Sequence, residues 1–488
     1  MQLKQQNIKS LHPAVAVAAY ERRQLSHAIV HIGVGGFHRA HLAFYQDQLL
    51  NAGNSNWAIC GIGLRPEDTR MHDVLKQQDC LYTLMVKHPD GQLEPRVIGS
   101  ITDFILATTH PEKAIAKLAD TSTKIVSLTI TEGGYNFDQH GKFIENNPHI
   151  QWDIQNRQAP KTVFGLLTAA LQVRKQNGQK PFTIMSCDNI QNNGDMCKRM
   201  LLSFAQLVDA DLAAWIDREV AFPNSMVDRI TPVTAPADIQ KLKQQFDIED
   251  DWPVTCEPFI QWVLEDHFTE GRPPWEQAGV QFVKHIAPYE KMKLRMLNGG
   301  HILLSVIGLL YGYRTVDQVL ADPDISLLLK RFMITEVMPI LDHVEGIDLN
   351  AYQKSLIERF SNVNIKDQLT RVASESTAKM PKFLIPTVRD QLSRGGHADK
   401  AIFGLAAWCV LFEKAEQPGY EGVLIDEQLA AMKERAIKSA NENPMEFLSY
   451  GLVFGDLIHN KTFVKTYQRH LDTIRQHGIQ LAVKSLIK

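Results

Sequence analysis

An α/β domain followed by a mostly α-helical domain is the architecture this sequence predicts. Three observations carry it. The first half alternates short apolar runs with helix-like periodicities, the pattern of parallel βαβ units. From Pro288 onward long helical periodicities dominate and strand candidates are few. At 488 residues the chain is long enough for two domains. The change of pattern places the boundary near 285, giving domains over 1–285 and 286–488.

Taken in order, residues 28–32 form a short apolar strand ending at Gly33, and helical pattern runs from about 39 to 51. Residues 57–62 read as a second strand and 66–78 as a helix. The runs 82–87 and 94–101 flank Pro89-Asp90-Gly91, a hairpin turn. Pro111 suits the first turn of a helix. Residues 124–131 are a buried-strand candidate, 161–176 an amphipathic helix and 182–186 a further strand. In the second half helices are expected over 291–311, 326–343, 349–360, 400–415 and 429–441.

Composition narrows the function. The chain is 44% hydrophobic and 22% charged, ordinary for a globular protein, with net charge −3. No large basic surface for nucleic acid or anionic lipid is implied. The six cysteines form no CxxC pair and no zinc or disulfide spacing, which fits a reducing cytoplasm. The apolar run 14–20 follows Pro13 and runs into Glu21-Arg22-Arg23 without a credible cleavage site. The longest apolar run, 302–310, is too short to span a bilayer.

The run IVHIGVGG at 29–36 has the layout of a dinucleotide-binding turn, strand then glycines then helix. Gly33 permits the tight turn, and Gly35 lets the backbone approach a pyrophosphate at the following helix N-terminus. His38 stands where a third glycine is usual. The first domain is therefore expected to be Rossmann-like. Glu67-Asp68, just past the second strand, are placed to accept hydrogen bonds from ribose hydroxyls and to repel a 2′-phosphate, favouring NAD over NADP. Their separation from the glycines exceeds the usual spacing of about 20 residues. The pair reads almost equally well as a solvated helical turn after Pro66.

The most informative stretch is KLRMLNGGH at 293–301. Lys293, Asn298 and His301 are, with Arg295, the only strongly polar side chains from Met292 to Leu304. Polar groups in an apolar helix are costly to bury without partners, and a substrate hydroxyl would satisfy all three. On a regular helix Asn298 lies about 140° and His301 about 80° round from Lys293, so the three share half the surface without forming a line. A desolvated lysine can accept an alcohol proton while hydride leaves carbon. Asparagine donors can hold the developing oxyanion, and a histidine can orient the oxygen. Gly299-Gly300 weakens the helix but admits close approach of another group. Asp188-Asn189 follow an apolar strand, where α/β folds place active-site groups. Asp228-Arg229 reads as a catalytic pair or a structural ion pair. Arg371 and Lys379 either bind substrate oxygens or are solvated. His38 and His41 are spaced i, i+3, but no partner is placed to complete a metal site.

Together these blocks resemble the polyol-specific long-chain dehydrogenases, the family of mannitol 2-dehydrogenase and fructuronate reductase. The resemblance rests on residues 29–41, 126–136 (VSLTITEGGYN), 185–194 (MSCDNIQNNG), 226–232 (MVDRITP), 256–266, 292–301 and 371–383. It implies Lys293 as general base, Asn189 and Asn298 as the oxyanion site and His301 as the group orienting the substrate oxygen. It further implies Asp228, Arg371 and Lys379 as substrate-binding residues, and Glu290 as a proton relay. Gly33, Gly35, Gly36, Phe37, Glu67, Asp68 and Glu132 are the expected cofactor-binding residues. The implied reaction is a metal-free, reversible, NAD-dependent oxidation of D-mannitol to D-fructose by a cytoplasmic enzyme, with a monomer as the working expectation. GVGGFHRAH, TEGGY and VDRITP follow the mannitol pattern rather than the uronate one, whereas NGGH departs from the NxSH of many relatives. A fructuronate reductase, a dehydrogenase of D-arabinitol or D-sorbitol, and a nucleotide-binding sensor without turnover are the alternatives.

Overall fold

The computed structural model describes residues 1–138 and 141–488, and the chain divides into two compact units, Met1–Ala287 and Pro288–Lys488. In the first, strands β1 (Ser26–Ile32), β2 (Trp57–Gly63), β3 (Tyr82–Lys87), β4 (Leu93–Ile98), β5 (Ile101–Leu106), β6 (Ile125–Leu128) and β7 (Thr183–Ser186) come in chain order. The main sheet is parallel throughout, ordered β5-β2-β1-β6-β7. Counting only its own members, the strands run third, second, first, fourth, fifth. That is the Rossmann order, and its direction reverses between β1 and β6, where such sheets bind their ligands. Helices Pro111–Ala119 and Val163–Gln176 supply crossovers. Central strands covered on both faces must be apolar, and Ile29, Val30, Ile32, Ile59, Ile62, Val126 and Leu128 are fully buried.

The hairpin expected around Asp90 forms, with β3 antiparallel to β4 from Tyr82↔Ile98 to Lys87↔Leu93. Its second arm ends at Ile98 rather than 101, and residues 101–106 join the main sheet as its edge strand. Strands β8 (Ser225–Asp228), β9 (Val254–Cys256), β10 (Gln261–Glu265) and β11 (Gln281–Val283) complete two three-stranded sheets, β11-β10-β8 and β4-β3-β9. The single helix expected over 39–51 is two, Gly36–Ala40 and Leu42–Asn51, broken at His41. The break is tertiary in origin. The His41 Nε2 lies 2.9 Å from the Gln261 carbonyl, and the Arg39 guanidinium donates to the Trp252 carbonyl at 2.5 Å.

Among the described residues no strand follows Val283. The second unit is built around a continuous helical rod, Ala287–Tyr311. By length and composition this helix could cross a membrane, but 83% of its most apolar window is buried in the protein, which marks it as a core helix. Gly299 and Gly300 serve close packing. A Cβ on Gly299 would lie 3.1 Å from the Phe383 carbonyl, and one on Gly300 3.1 Å from Leu329 and Met333 side chains. The helix expected over 326–343 is instead Pro323–Phe332, a π-turn Met333–Val337 and a 3₁₀ turn Met338–Ile340. Pro339, which cannot donate to the helical ladder, lies in that last turn. All six cysteines are unpaired and buried, in both units.

Gly33 has φ +92°, and a Cβ there would run into the Thr129 carbonyl. Gly35 has φ −124°, with only the Gly33 oxygen at 3.8 Å from its would-be Cβ. Gly33→Ala should therefore lose more than about 1 kcal/mol of stability, whereas Gly35→Ala should melt close to wild type. Thermal unfolding of both variants checks this.

Candidate active site

The glycine turn is held from beneath. Thr129 Oγ1 donates to the Gly33 carbonyl at 2.7 Å, and His31 places Nε2 within 3.2 Å of the same oxygen and 2.9 Å of Thr129 Oγ1. Its Nδ1 is 2.8 Å from Ser127 Oγ. Burial pushes the His31 pKa down to about 3, so the ring is neutral. His38, in the place of a third glycine, stacks on His31 with centroids 3.3 Å apart. It too is held well below the usual histidine range, first by burial and then by the proximity of His31, Arg39 and His41. Above the turn the backbone is open. A Cβ on Gly35 or Gly36 would meet nothing closer than 3.7 Å, and Gly35 caps the following helix. This bare cradle at a helix N-terminus fits a dinucleotide pyrophosphate. Phe37, half-buried beside it, stacks on His41 at 4.9 Å.

At the end of β2, the Asp68 Oδ2 accepts from the backbone amides of Leu64 and Arg65, both at 2.9 Å. Asp68 thus closes its own loop, while Glu67 points outward, exposed. Glu132 is exposed at the start of the turn Glu132–Tyr135, and Asn189 is exposed just after β7. Asp188 joins these two loops. It accepts from the amides of Ile130 (3.0 Å) and Thr131 (2.8 Å) and from the Tyr135 hydroxyl (2.8 Å). Thr131 itself has φ +59°, a costly conformation for a β-branched residue. Asn193 ties the Asp188 carbonyl (3.0 Å) to that of Ser225 (2.8 Å), which anchors the start of β8, the strand that ends at Asp228. Asp228 is 4% exposed. Arg229 is structural, donating to the carbonyls of Ala40 (2.6 Å) and Glu257 (3.1 Å) with its guanidinium over the Phe44 ring.

In the second unit Lys293 is 7%, His301 8% and Glu290 5% exposed. Residues Leu294–Asn298 form a π-turn inside the helix, in which the Gly299 amide donates five residues back to the Leu294 carbonyl. Such a turn absorbs one extra residue, so everything after it is set back by about 100° from the regular extrapolation. Asn298 then lies about 40° to one side of Lys293 and His301 about 20° to the other. The triad that spread over half a regular helix becomes a single narrow face. Glu290 sits one turn before Lys293. The His301 ring stacks on Phe360 with centroids 4.0 Å apart, a partner no spacing in the sequence indicated.

Arg371 and Lys379 are brought together, but partly for structural work. Arg371 makes a bidentate pair with buried Asp367, Nε–Oδ1 2.8 Å and Nη2–Oδ2 2.5 Å, which leaves Nη1 for a ligand. The i, i+4 spacing of Asp367 and Arg371 is a signal the sequence did carry. Lys379 Nζ donates to the carbonyls of Val372 (3.0 Å) and Arg371 (3.4 Å). Among the described residues no group of three or more His, Cys, Asp or Glu side chains is placed to hold a metal.

Burial pushes the Asp188 carboxyl up from 3.8 to about 6, against the hydrogen bonds that favour its charge; Glu132 adds to the rise. The native state therefore holds this proton more tightly than the unfolded chain. Its contribution to stability is complete below pH 3.8 and falls as pH rises through about 6. The stability gap between wild type and the non-titrating Asp188→Asn should narrow across that window by on the order of 3 kcal/mol. Urea unfolding at a series of pH values measures it.

Against known proteins, residues 27–277 match the mannitol dehydrogenase Rossmann domain and residues 285–475 the mannitol dehydrogenase C-terminal domain. The chain is 42% identical over 482 residues to a mannitol 2-dehydrogenase of Aspergillus fumigatus, covering 97% of this chain and 96% of that one. Its structure is similar to a ternary complex of Pseudomonas fluorescens mannitol 2-dehydrogenase with NAD and D-mannitol, with TM-score 0.92, 43% identity and coverage of 100% and 99%. It is also similar to a D-sorbitol dehydrogenase in substrate-free form, with TM-score 0.89, 36% identity and coverage of 99% and 100%. With both domain matches together spanning most of its length, the chain belongs to the mannitol dehydrogenase family.

Proposed function

We propose that this protein catalyses the reversible, NAD-dependent oxidation of D-mannitol to D-fructose, without a metal. The observation that carries the reading is a nearly buried lysine, Lys293, sharing one helix face with Asn298 and His301. Near-full-length similarity to mannitol 2-dehydrogenases supports it. Residues 1–285 bind the dinucleotide and 286–488 carry most of the substrate site. The working picture is a cytoplasmic monomer that binds neither nucleic acid nor membrane.

Gly33, Gly35, Gly36 and Phe37, with Glu132, would hold NAD, which when bound would supply the acceptor for the hydride from C2. Lys293 takes the C2 hydroxyl proton as general base, and Glu290 passes that proton to solvent. Asn189 and Asn298 donate to the oxygen as it gains charge. His301 orients that oxygen, its ring steadied by Phe360. Asp228, Arg371 and Lys379 hold the remaining hydroxyls. In the reverse direction Lys293, protonated, returns its proton to the carbonyl oxygen. The likeness to a D-sorbitol dehydrogenase favours one second reading, a preference for D-sorbitol. An absorbance assay of NADH formation over a panel of polyols and keto-sugars, uronates included, decides among these. No turnover with mannitol would end the primary reading.

Lys293→Ala should lower kcat by at least about 10²-fold, the usual worth of a general base, while NADH binding followed by fluorescence is retained. Wild-type-like turnover in that variant would refute Lys293 as the base. Replacing Glu67 with Gln and Asp68 with Asn removes two negative charges, and the side-chain amide oxygen introduced at position 68 can still accept from the loop amides. The double variant should improve kcat/KM for NADP relative to NAD about tenfold, roughly 1.4 kcal/mol. An unchanged coenzyme ratio would place the ribose contact elsewhere.

A further inference from the structure

The π-turn Leu294–Asn298 contains one charged side chain, Arg295. It points away from solvent, with the side chain 13% exposed. Its Nη1 donates to the Lys382 carbonyl at 3.1 Å, in the last turn of helix Ser376–Phe383. Its Nη2 lies 3.5 Å from the Asp390 Oδ2 on the next helix, Ile385–Ser393. Among the described residues its buried Nε has no hydrogen-bond partner. An apolar side chain would avoid that cost, so stability alone is a poor reason for an arginine here.

A π-turn is less regular than the helix around it, and something must hold it open. The rod is packed closely where Gly299 approaches the Phe383 carbonyl, beside the Lys382 carbonyl that Arg295 reaches, and where Gly300 approaches Leu329 and Met333. The turn's charged tether is Arg295. If the turn relaxed to regular geometry, Asn298 and His301 would swing by about 100° relative to Lys293. We infer that Arg295 is a positioning residue for the reaction: by fastening the π-turn to Lys382 and Asp390 it fixes the angle that Lys293, before the turn, makes with Asn298, the last residue of the turn, and His301, beyond it. This rests on the reading that those three groups carry the chemistry.

The test uses the full-length enzyme, with Arg295→Met, Arg295→Lys, Asp390→Asn and Lys293→Ala. A misplaced reacting group costs up to about 10²-fold in rate. Arg295→Met should therefore lower kcat for mannitol oxidation by about 10- to 100-fold while NADH affinity is retained. The primary isotope effect with C2-deuterated mannitol should rise, because hydride transfer becomes more rate-limiting. Arg295→Lys, still able to reach the Lys382 carbonyl, should recover part of the loss. Asp390→Asn should show a smaller loss that does not add to that of Arg295→Met, as expected for partners in one contact. A merely structural arginine predicts a lower melting temperature with kcat per folded enzyme and isotope effect unchanged, and that result overturns the inference. Should Arg295→Met fail to fold, wild-type kcat and isotope effect in both Arg295→Lys and Asp390→Asn overturn it equally. An inactive Lys293→Ala beside an undiminished Arg295→Met sinks this inference alone, whereas an active Lys293→Ala sinks the reading beneath it as well.

Discussion

One helix has to satisfy two opposed demands. Ala287–Tyr311 is the core of the second unit, and Ile302, Leu303, Leu304, Val306 and Ile307 are at most 1% exposed. The same rod carries a lysine amine, an amide and an imidazole, groups whose burial is costly unless each is partnered. The conflict is resolved by geometry. One extra residue in the π-turn gathers the polar groups onto a narrow stripe, and the rest of the circumference stays available for packing. The surrounding helices follow from that arrangement. The Gly299-Gly300 pair lets neighbouring chain come close enough to seal the apolar side, and Phe360 covers the imidazole.

The first unit meets the corresponding demand at the ends of strands rather than along a helix. The parallel sheet is mostly apolar, with His31, Ser127, Thr183 and Ser186 as buried polar exceptions in its strands, and the polar side chains of the candidate site lie in the loops that leave it. Those loops are not loose. Asp188 binds the loop after β6 to the loop after β7, and Asn193 binds the latter to β8. Exposed Glu132 and Asn189 are thus presented on loops pinned by buried neighbours, the arrangement that preorganised electrostatic stabilisation requires.

The parallel strands at 28–32, 57–62 and 124–131 were legible in the sequence because strands covered on both faces are continuous apolar runs. The glycine turn was legible because only glycine accepts the backbone conformation found at residue 33. Edge strand β5 was not, since Ile101–Leu106 mixes buried and half-exposed positions and reads as an extension of the hairpin before it. The break at His41 has neither proline nor glycine to announce it and depends on contacts with Trp252 and Gln261. The π-turn was equally silent, because its tether joins Arg295 to residues 382 and 390, far along the chain. The identities of the polar residues on the rod could be read from spacing, but their alignment could not. Asp188 illustrates the converse error, a residue whose position suggested chemistry and whose side chain is engaged by backbone amides.

The buried cysteines have a consequence of their own. Burial drives the Cys80 thiol up to about 11, those of Cys60 and Cys256 up to about 12, and those of Cys187, Cys197 and Cys409 higher still. Thiolate is the species that peroxides and alkylating agents attack. The folded protein therefore offers such reagents almost nothing to react with, and sulfur modification becomes a clock for how often each unit breathes open. An electrophile in the surroundings would mark molecules that have already begun to come apart, leaving intact ones untouched.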